Sequence, residues 1–185
     1  MPAPVTFEKL TARQIRMYWG GFWLIVLSET MIFVTVFAVR FLMAYADVSP
    51  DVNRLLGGLI TLIFVVSVVP AASAVREIRQ GRNDTASRSL MATALLGMLA
   101  FAGVIVDLFT VHLAAGSRYG ESYFLATGYH ALHIFIGLIV LLALYSSARR
   151  NRFSVDNHWS VEAGAVFWYF VVVMYVVLYG ILFWV

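Results

Sequence analysis

Tyr123 to Tyr145 read YFLATGYHALHIFIGLIVLLALY, an apolar run that carries two histidines, His130 and His133. A helix needs about 20 residues to cross the hydrocarbon core of a bilayer, and this run is long enough. Ionisable side chains at that depth are costly, so they face a protein interior and a polar partner. Two other apolar stretches hold possible partners: Glu29 in Ser28-Glu29-Thr30 and Asp107 in Val106-Asp107-Leu108. Such groups bind a cofactor, move a proton, or hold helices together.

Composition sets the class. Of 185 residues, 62% are hydrophobic and only 12% charged, more apolar surface than a soluble domain could bury. The chain has no cysteine, which excludes disulfides, iron–sulfur clusters, thiolate zinc sites and a thiolate-bridged dicopper centre. A formal charge of +3 could suggest nucleic acid, but the basic residues form no stripe with interleaved aromatics. They sit in short loops between apolar runs, where they report topology.

Five long apolar runs predict an all-α polytopic bundle, a single membrane domain over residues 1–185. The predicted spans are 17–46, 55–75, 89–114, 123–147 and 161–185. Short connectors imply that consecutive helices pack as antiparallel neighbours, and Pro70 is expected to kink the second span. Lys9, Arg13 and Arg16 precede the first span. Arg76, Arg79, Arg82 and Arg88 follow the second, and Arg149, Arg150 and Arg152 follow the fourth, together ten of the thirteen basic residues. Arg40, Arg54 and Arg118 lie on the other side. The positive-inside rule then places the N-terminus in the cytoplasm and the C-terminus outside. Ala44-Tyr45-Ala46 resembles a signal-peptidase site, but the preceding run is too long for a signal segment and is interrupted by Glu29. Trp19, Trp23, Phe183 and Trp184 read as interfacial aromatic belts.

Histidines three residues apart lie on roughly one helix face, so His130 and His133 could ligate haem or a metal. A di-haem cytochrome needs histidine pairs from facing helices, however, and His112 and His158 lie near span ends. Hydrogen bonding to another helix is the simpler account. Glu29 lies roughly 17 Å into the first span and His133 roughly 20 Å into the fourth, counted from the same side at 1.5 Å per residue. A Glu29–His133 hydrogen bond is thus geometrically possible, with a proton relay as the alternative. Asp107 and Thr110 could join Glu29 and His130 in one polar cluster or reach the outer interface. Glu162 complements the positive end of the last helix. Gly57, Gly58 and Gly137 are expected to permit close helix approach.

At this point the residues resemble a family. Leu27-Ser28-Glu29-Thr30-Met31-Ile32-Phe33 is similar to the serine–glutamate signature of subunit III of the haem–copper oxygen reductases, the cytochrome c and quinol oxidases. Tyr119-Gly120 and the segment Phe124 to Ile134 resemble its threonine–glycine–aromatic–histidine–x–leucine–histidine motif. His158-Trp159-Ser160-Val161-Glu162-Ala163, followed by Trp168 and Phe170, resembles its last-helix entry. Where the family usually follows that tryptophan with histidine–phenylalanine–valine–aspartate, Tyr169-Phe170-Val171-Val172 stand here, marking a divergent sequence.

The resemblance implies a five-helix bacterial form of a subunit that has seven helices in many oxidases. It implies a non-catalytic accessory subunit with no cofactor of its own, in a complex that reduces oxygen to water. Haem and copper are then expected in the partner catalytic subunit. The implied partners are subunit I directly, subunit II, a small subunit IV and phospholipids, in the inner membrane of a bacterial cell. The implied roles are stabilising subunit I, holding lipids and supporting proton uptake. Carried over by motif, Glu29 matches the family's intramembrane glutamate, His130 and His133 its paired histidines, and Glu162 its last-helix glutamate. Arg79, Arg82 and Trp168 are the candidate lipid contacts. Other readings stay open here: an accessory protein of a nitric oxide reductase, a di-haem cytochrome b, or a small proton-coupled transporter using Glu29 and Asp107.

Overall fold

A computed structural model describes residues 11–45, 48–114, 116–155 and 157–185. Its five helices are α1 (Ala12–Ala44), α2 (Arg54–Arg79), α3 (Asn83–Thr110), α4 (Arg118–Arg149) and α5 (Trp159–Phe183). All five are long and apolar enough to cross a membrane. Five helices stand where the five spans were expected, with the start of α3 six residues earlier and those of α1 and α4 five residues earlier than predicted. Lys9 and Ala46, used in the charge count and as the first span's end, lie outside the described residues.

Local sequence explains the helix starts. Thr11 and Gln14 form a reciprocal capping box at α1, Asn53 accepts from the Leu56 amide at α2, and Ser117 accepts from the Gly120 amide at α4. The second helix continues unbroken through Pro70.

The helices form a ring in which α2 packs on α3, α3 on α4, α4 on α5 and α5 back on α2. Helix α1 lies outside the ring against α4 and α5. This corrects the expectation that all consecutive helices are neighbours, because α1 and α2 do not pack together. The buried positions of α1 explain its placement. Val26, Phe33, Phe37, Arg40 and Ala44 form one narrow stripe, and Phe33 meets Tyr129 and His133 of α4 and Phe170 of α5. Most of the rest of α1 is exposed, as a helix bordered by lipid would be, with Phe22, Glu29 and Val36 half-buried.

Helix α2 turns Gly57, Ile60, Phe64, Ser67, Ala71, Ala74 and Ile78 inward at alternating spacings of three and four. Small residues dominate the facing stripe of α3, so the backbones approach closely. The largest side chain in that space is Trp168 of α5, fully buried, whose indole Nε1 donates to Ser67 Oγ at 2.9 Å. A Cβ at Gly97 would stand 2.6 Å from the Trp168 ring, and one at Gly137 3.0 Å. Gly137 thus has the close-approach role expected, and Gly97 shares it. At the far end Gly57 meets Tyr179 and Phe183 in the same way. Phe183 is buried there, which corrects its reading as an interfacial residue, while Trp184 is exposed.

Candidate functional site

Glu29 stands near the midpoint of α1, and its Oε2 is the meeting point of two α4 side chains. The Tyr129 hydroxyl donates to it at 2.6 Å, and His133 Nε2 lies 3.1 Å away. His133 Nδ1 is 2.9 Å from the carbonyl of Tyr129. A carbonyl only accepts, so Nδ1 carries the proton and donates. Nε2 and the carboxyl group must then share one further proton. Either an imidazolium faces a carboxylate or a neutral imidazole accepts from a carboxylic acid, and both forms leave the pair with no net charge. That satisfies both groups at a depth where a lone charge is strongly disfavoured. The His133 side chain is 6% exposed and that of Glu29 30%, so the pair is reached from the outer flank of the α1–α4 seam. Phe33 closes it from within, 4.9 Å from both the Tyr129 and His133 rings.

Of the two alternatives left open for Asp107, the structure does not form the single cluster with Glu29, His130 and Thr110. Three helical residues turn through about 300°, so His130 and His133 diverge by about 60° around α4. That angle sends His133 to α1 and His130 to the ring's interior. His130 is fully buried among Phe33, Phe64 and Tyr175. Asp107 is buried at the C-terminal end of α3, where it accepts from the Tyr123 hydroxyl of α4. The Thr110 hydroxyl donates to the Val106 carbonyl at 2.8 Å and joins neither group.

At the end rich in arginine, Glu162 in the first turn of α5 accepts from Arg79 at the end of α2. Its Oε1 lies 2.6 Å from Nη2 and 2.8 Å from Nε, with His158 Nε2 at 3.2 Å. The predicted last-helix entry thus ties α5 to α2. Arg79 is 61% exposed, so the pair contributes about 1 kcal/mol at most. Arg82 precedes α3 and is exposed, with no side-chain cap bond. Trp168 is corrected outright as a lipid contact, because its ring is sealed between Gly97 and Gly137.

Two features escaped the sequence reading. Tyr129 lies inside the decisive motif, and its i,i+4 relation to His133 at the depth of Glu29 was the available signal. Arg40, one turn from the end of α1, is fully buried. Its Nη1 donates to the Tyr45 carbonyl at 2.9 Å, and its guanidinium lies 4.6 Å over the Tyr119 ring. An arginine one turn from a helix end carried no hint of that burial.

Two grooves flank the arginine-rich half. One of about 280 Å³ is lined by Phe22 of α1, Ile136 and Val140 of α4, and Ala163 and Phe167 of α5. The other, about 300 Å³, has Trp19, Val75 and Tyr169 along its wall and Arg79 with Glu162 at its rim. The first groove is apolar throughout, whereas the second sets apolar walls beside a charged pair, a combination that suits an amphiphile. Among the described residues no three histidine, aspartate or glutamate side chains converge on a metal-sized site.

A family model described as Cytochrome c oxidase subunit III matches residues 8–185. Cytochrome c oxidase subunit 3 of Spodoptera frugiperda is 33% identical over 67% of this chain and 85% of its own length. That of Drosophila melanogaster is 31% identical over 92% of this chain and 70% of its own. That of the cyanobacterium Synechocystis sp. is 28% identical over 89% of this chain and 73% of its own.

Proposed function

Because the chain belongs to the cytochrome c oxidase subunit III family, the non-catalytic and cofactor-free subunit of haem–copper oxidases, we propose that it braces the catalytic subunit of such an oxidase within a bacterial inner membrane. Haem and copper belong to that partner, where oxygen is reduced. This chain supplies shape, hydrogen bonds and lipid contacts. The family match supports association with other oxidase subunits. In this reading subunit I is the direct neighbour, with subunit II and a small subunit IV in the same assembly. The arginine-rich ends of α2 and α4 face the cytoplasm.

The observation that carries this reading is the Glu29–Tyr129–His133 clamp, which joins the family's two signature segments across the α1–α4 seam. The clamp keeps α1 docked on the ring, and α1 then offers its long exposed face to neighbours. The two grooves beside it hold phospholipid, with Arg79 and Arg82 available to phosphate. Proton uptake is supported indirectly, by keeping the catalytic subunit and its lipid border in place. Affinity purification of the tagged chain from mild detergent tests this directly. Recovery of a haem–copper catalytic subunit with its absorption spectrum is expected. Recovery of the chain alone, or with nitric oxide reductase subunits, would overturn it.

A further inference from the structure

We propose that Thr127 and His130, buried three residues apart on α4, form a binding site for a small uncharged hydrogen-bonding ligand, one or two water molecules. The Thr127 hydroxyl and both ring nitrogens of His130 are buried with no hydrogen-bond partner among the described residues. Thr127 is 3% exposed and His130 0%. They stand three residues apart on α4, the spacing at which helical side chains are neighbours.

The behaviour of the other hydroxyls makes Thr127 an exception. Thr30, Thr61, Ser67, Thr93 and Ser122 each donate to a carbonyl three or four residues earlier in their own helix. Thr127 has the same option in the Tyr123 carbonyl and leaves it. A buried hydroxyl turned from its own helix requires another partner. His130 has the complementary need. Neutral imidazole presents one donor and one acceptor, yet its surroundings are the rings of Phe33, Phe64 and Tyr175 at 5.9, 6.2 and 5.4 Å.

Chemistry narrows the ligand. It must both donate and accept, which excludes an apolar guest. It must be neutral, because those three rings supply no counter-charge to an ion. A metal would need more ligands than converge here. Water meets these demands and is the usual partner of buried polar groups, making two to four bonds. Bound there, it fixes the tautomer of His130 and lets an imidazole occupy the core without an ionic partner.

The test uses the intact membrane complex containing this chain. A double-mutant cycle with Thr127→Val and His130→Phe reads the coupling between the two positions. A bridging ligand is lost at the first substitution, so the double variant should melt no lower than the worse single variant. Additive losses, or a neutral Thr127→Val, would overturn the site. Should His130→Phe fail to assemble, nuclear magnetic resonance on ring-labelled histidine decides. A bound-water cross-peak to the His130 ring should be present in the parent and lost in Thr127→Val. Its absence from the parent, or its persistence in the variant, would refute the proposal.

Discussion

Replacing Glu29 by leucine removes the acceptor on which the α1–α4 seam converges. Two hydrogen bonds go at once, from the Tyr129 hydroxyl at 2.6 Å and His133 Nε2 at 3.1 Å. Interhelical bonds of this kind average about 0.6 kcal/mol in membranes and reach about 1.7. Leaving the imidazole and hydroxyl without their acceptor adds about 1–3 kcal/mol. Glu29 is 30% exposed, which lets relaxation recover part of that cost, so the net loss falls at about 1–2 kcal/mol. Such a loss shifts the docking equilibrium of α1 roughly five- to thirty-fold. Glu29→Gln should behave almost as the parent, because its amide oxygen still accepts from the Tyr129 hydroxyl and its NH2 group can donate to the unprotonated Nε2 of His133. The assay is the fraction of chain retained in the purified oxidase complex after graded heating in detergent. Leucine should lower the retention midpoint clearly, and glutamine should not. Normal retention of the leucine variant, combined with an intact glutamine complex that has lost proton coupling, would refute the clamp and assign Glu29 to proton transfer.

Three further outcomes are expected. Gly97→Ala places a methyl group 2.6 Å from the Trp168 ring and 3.0 Å from Leu138, and should cost about 1–3 kcal/mol in a thermal melt of the complex. Single cysteines at the exposed positions Arg152 and Arg118, in a chain with no native cysteine, should label from opposite sides of the membrane. Equal labelling from one side would contradict the proposed topology. Native mass spectrometry of the complex should show retained phospholipid, and Ala163→Phe, which projects into the groove between α1 and α5, should reduce it; unchanged retention would place the lipid elsewhere.

Much of this architecture was legible before any coordinates, because a membrane span declares itself by length and hydropathy alone. The five helices followed from that. The approach of Glu29 to His133 was accessible from depth, since both residues sit near the middle of antiparallel spans at matched distances from the arginine-rich side. Rotational position was harder to read. A helix in lipid is apolar all round, so hydropathy does not mark its inward face, and the outlying place of α1 could not be inferred from it. Size carries that information instead. The small residues Gly57, Ser67, Ala71 and Ala74 of α2 mark its buried face, and the glycines at 97 and 137 mark where an indole must fit. Read by size, Trp168 would have been placed inside rather than assigned to lipid.

The same distinction separates the paired histidines. By sequence they share a motif, a helix and a spacing, and the economical inference gives them one task. Yet about 60° of helical rotation is enough to send them into different surroundings. His133 finds a hydroxyl-bearing neighbour and a carboxyl group at the α1 seam, where a shared proton keeps the pair neutral. His130 finds aromatic rings on three other helices, Phe33, Phe64 and Tyr175. Replacing His133 should therefore loosen one helix from its ring, whereas replacing His130 should act on the packing of the ring itself. A leucine at 133 should release α1 to proteolysis or exchange while α2 to α5 stay protected. A phenylalanine at 130 should alter protection in all the helices around it. Hydrogen exchange on the complex reads both patterns, and identical protection maps for the two variants would mean that the pair acts as a single unit after all.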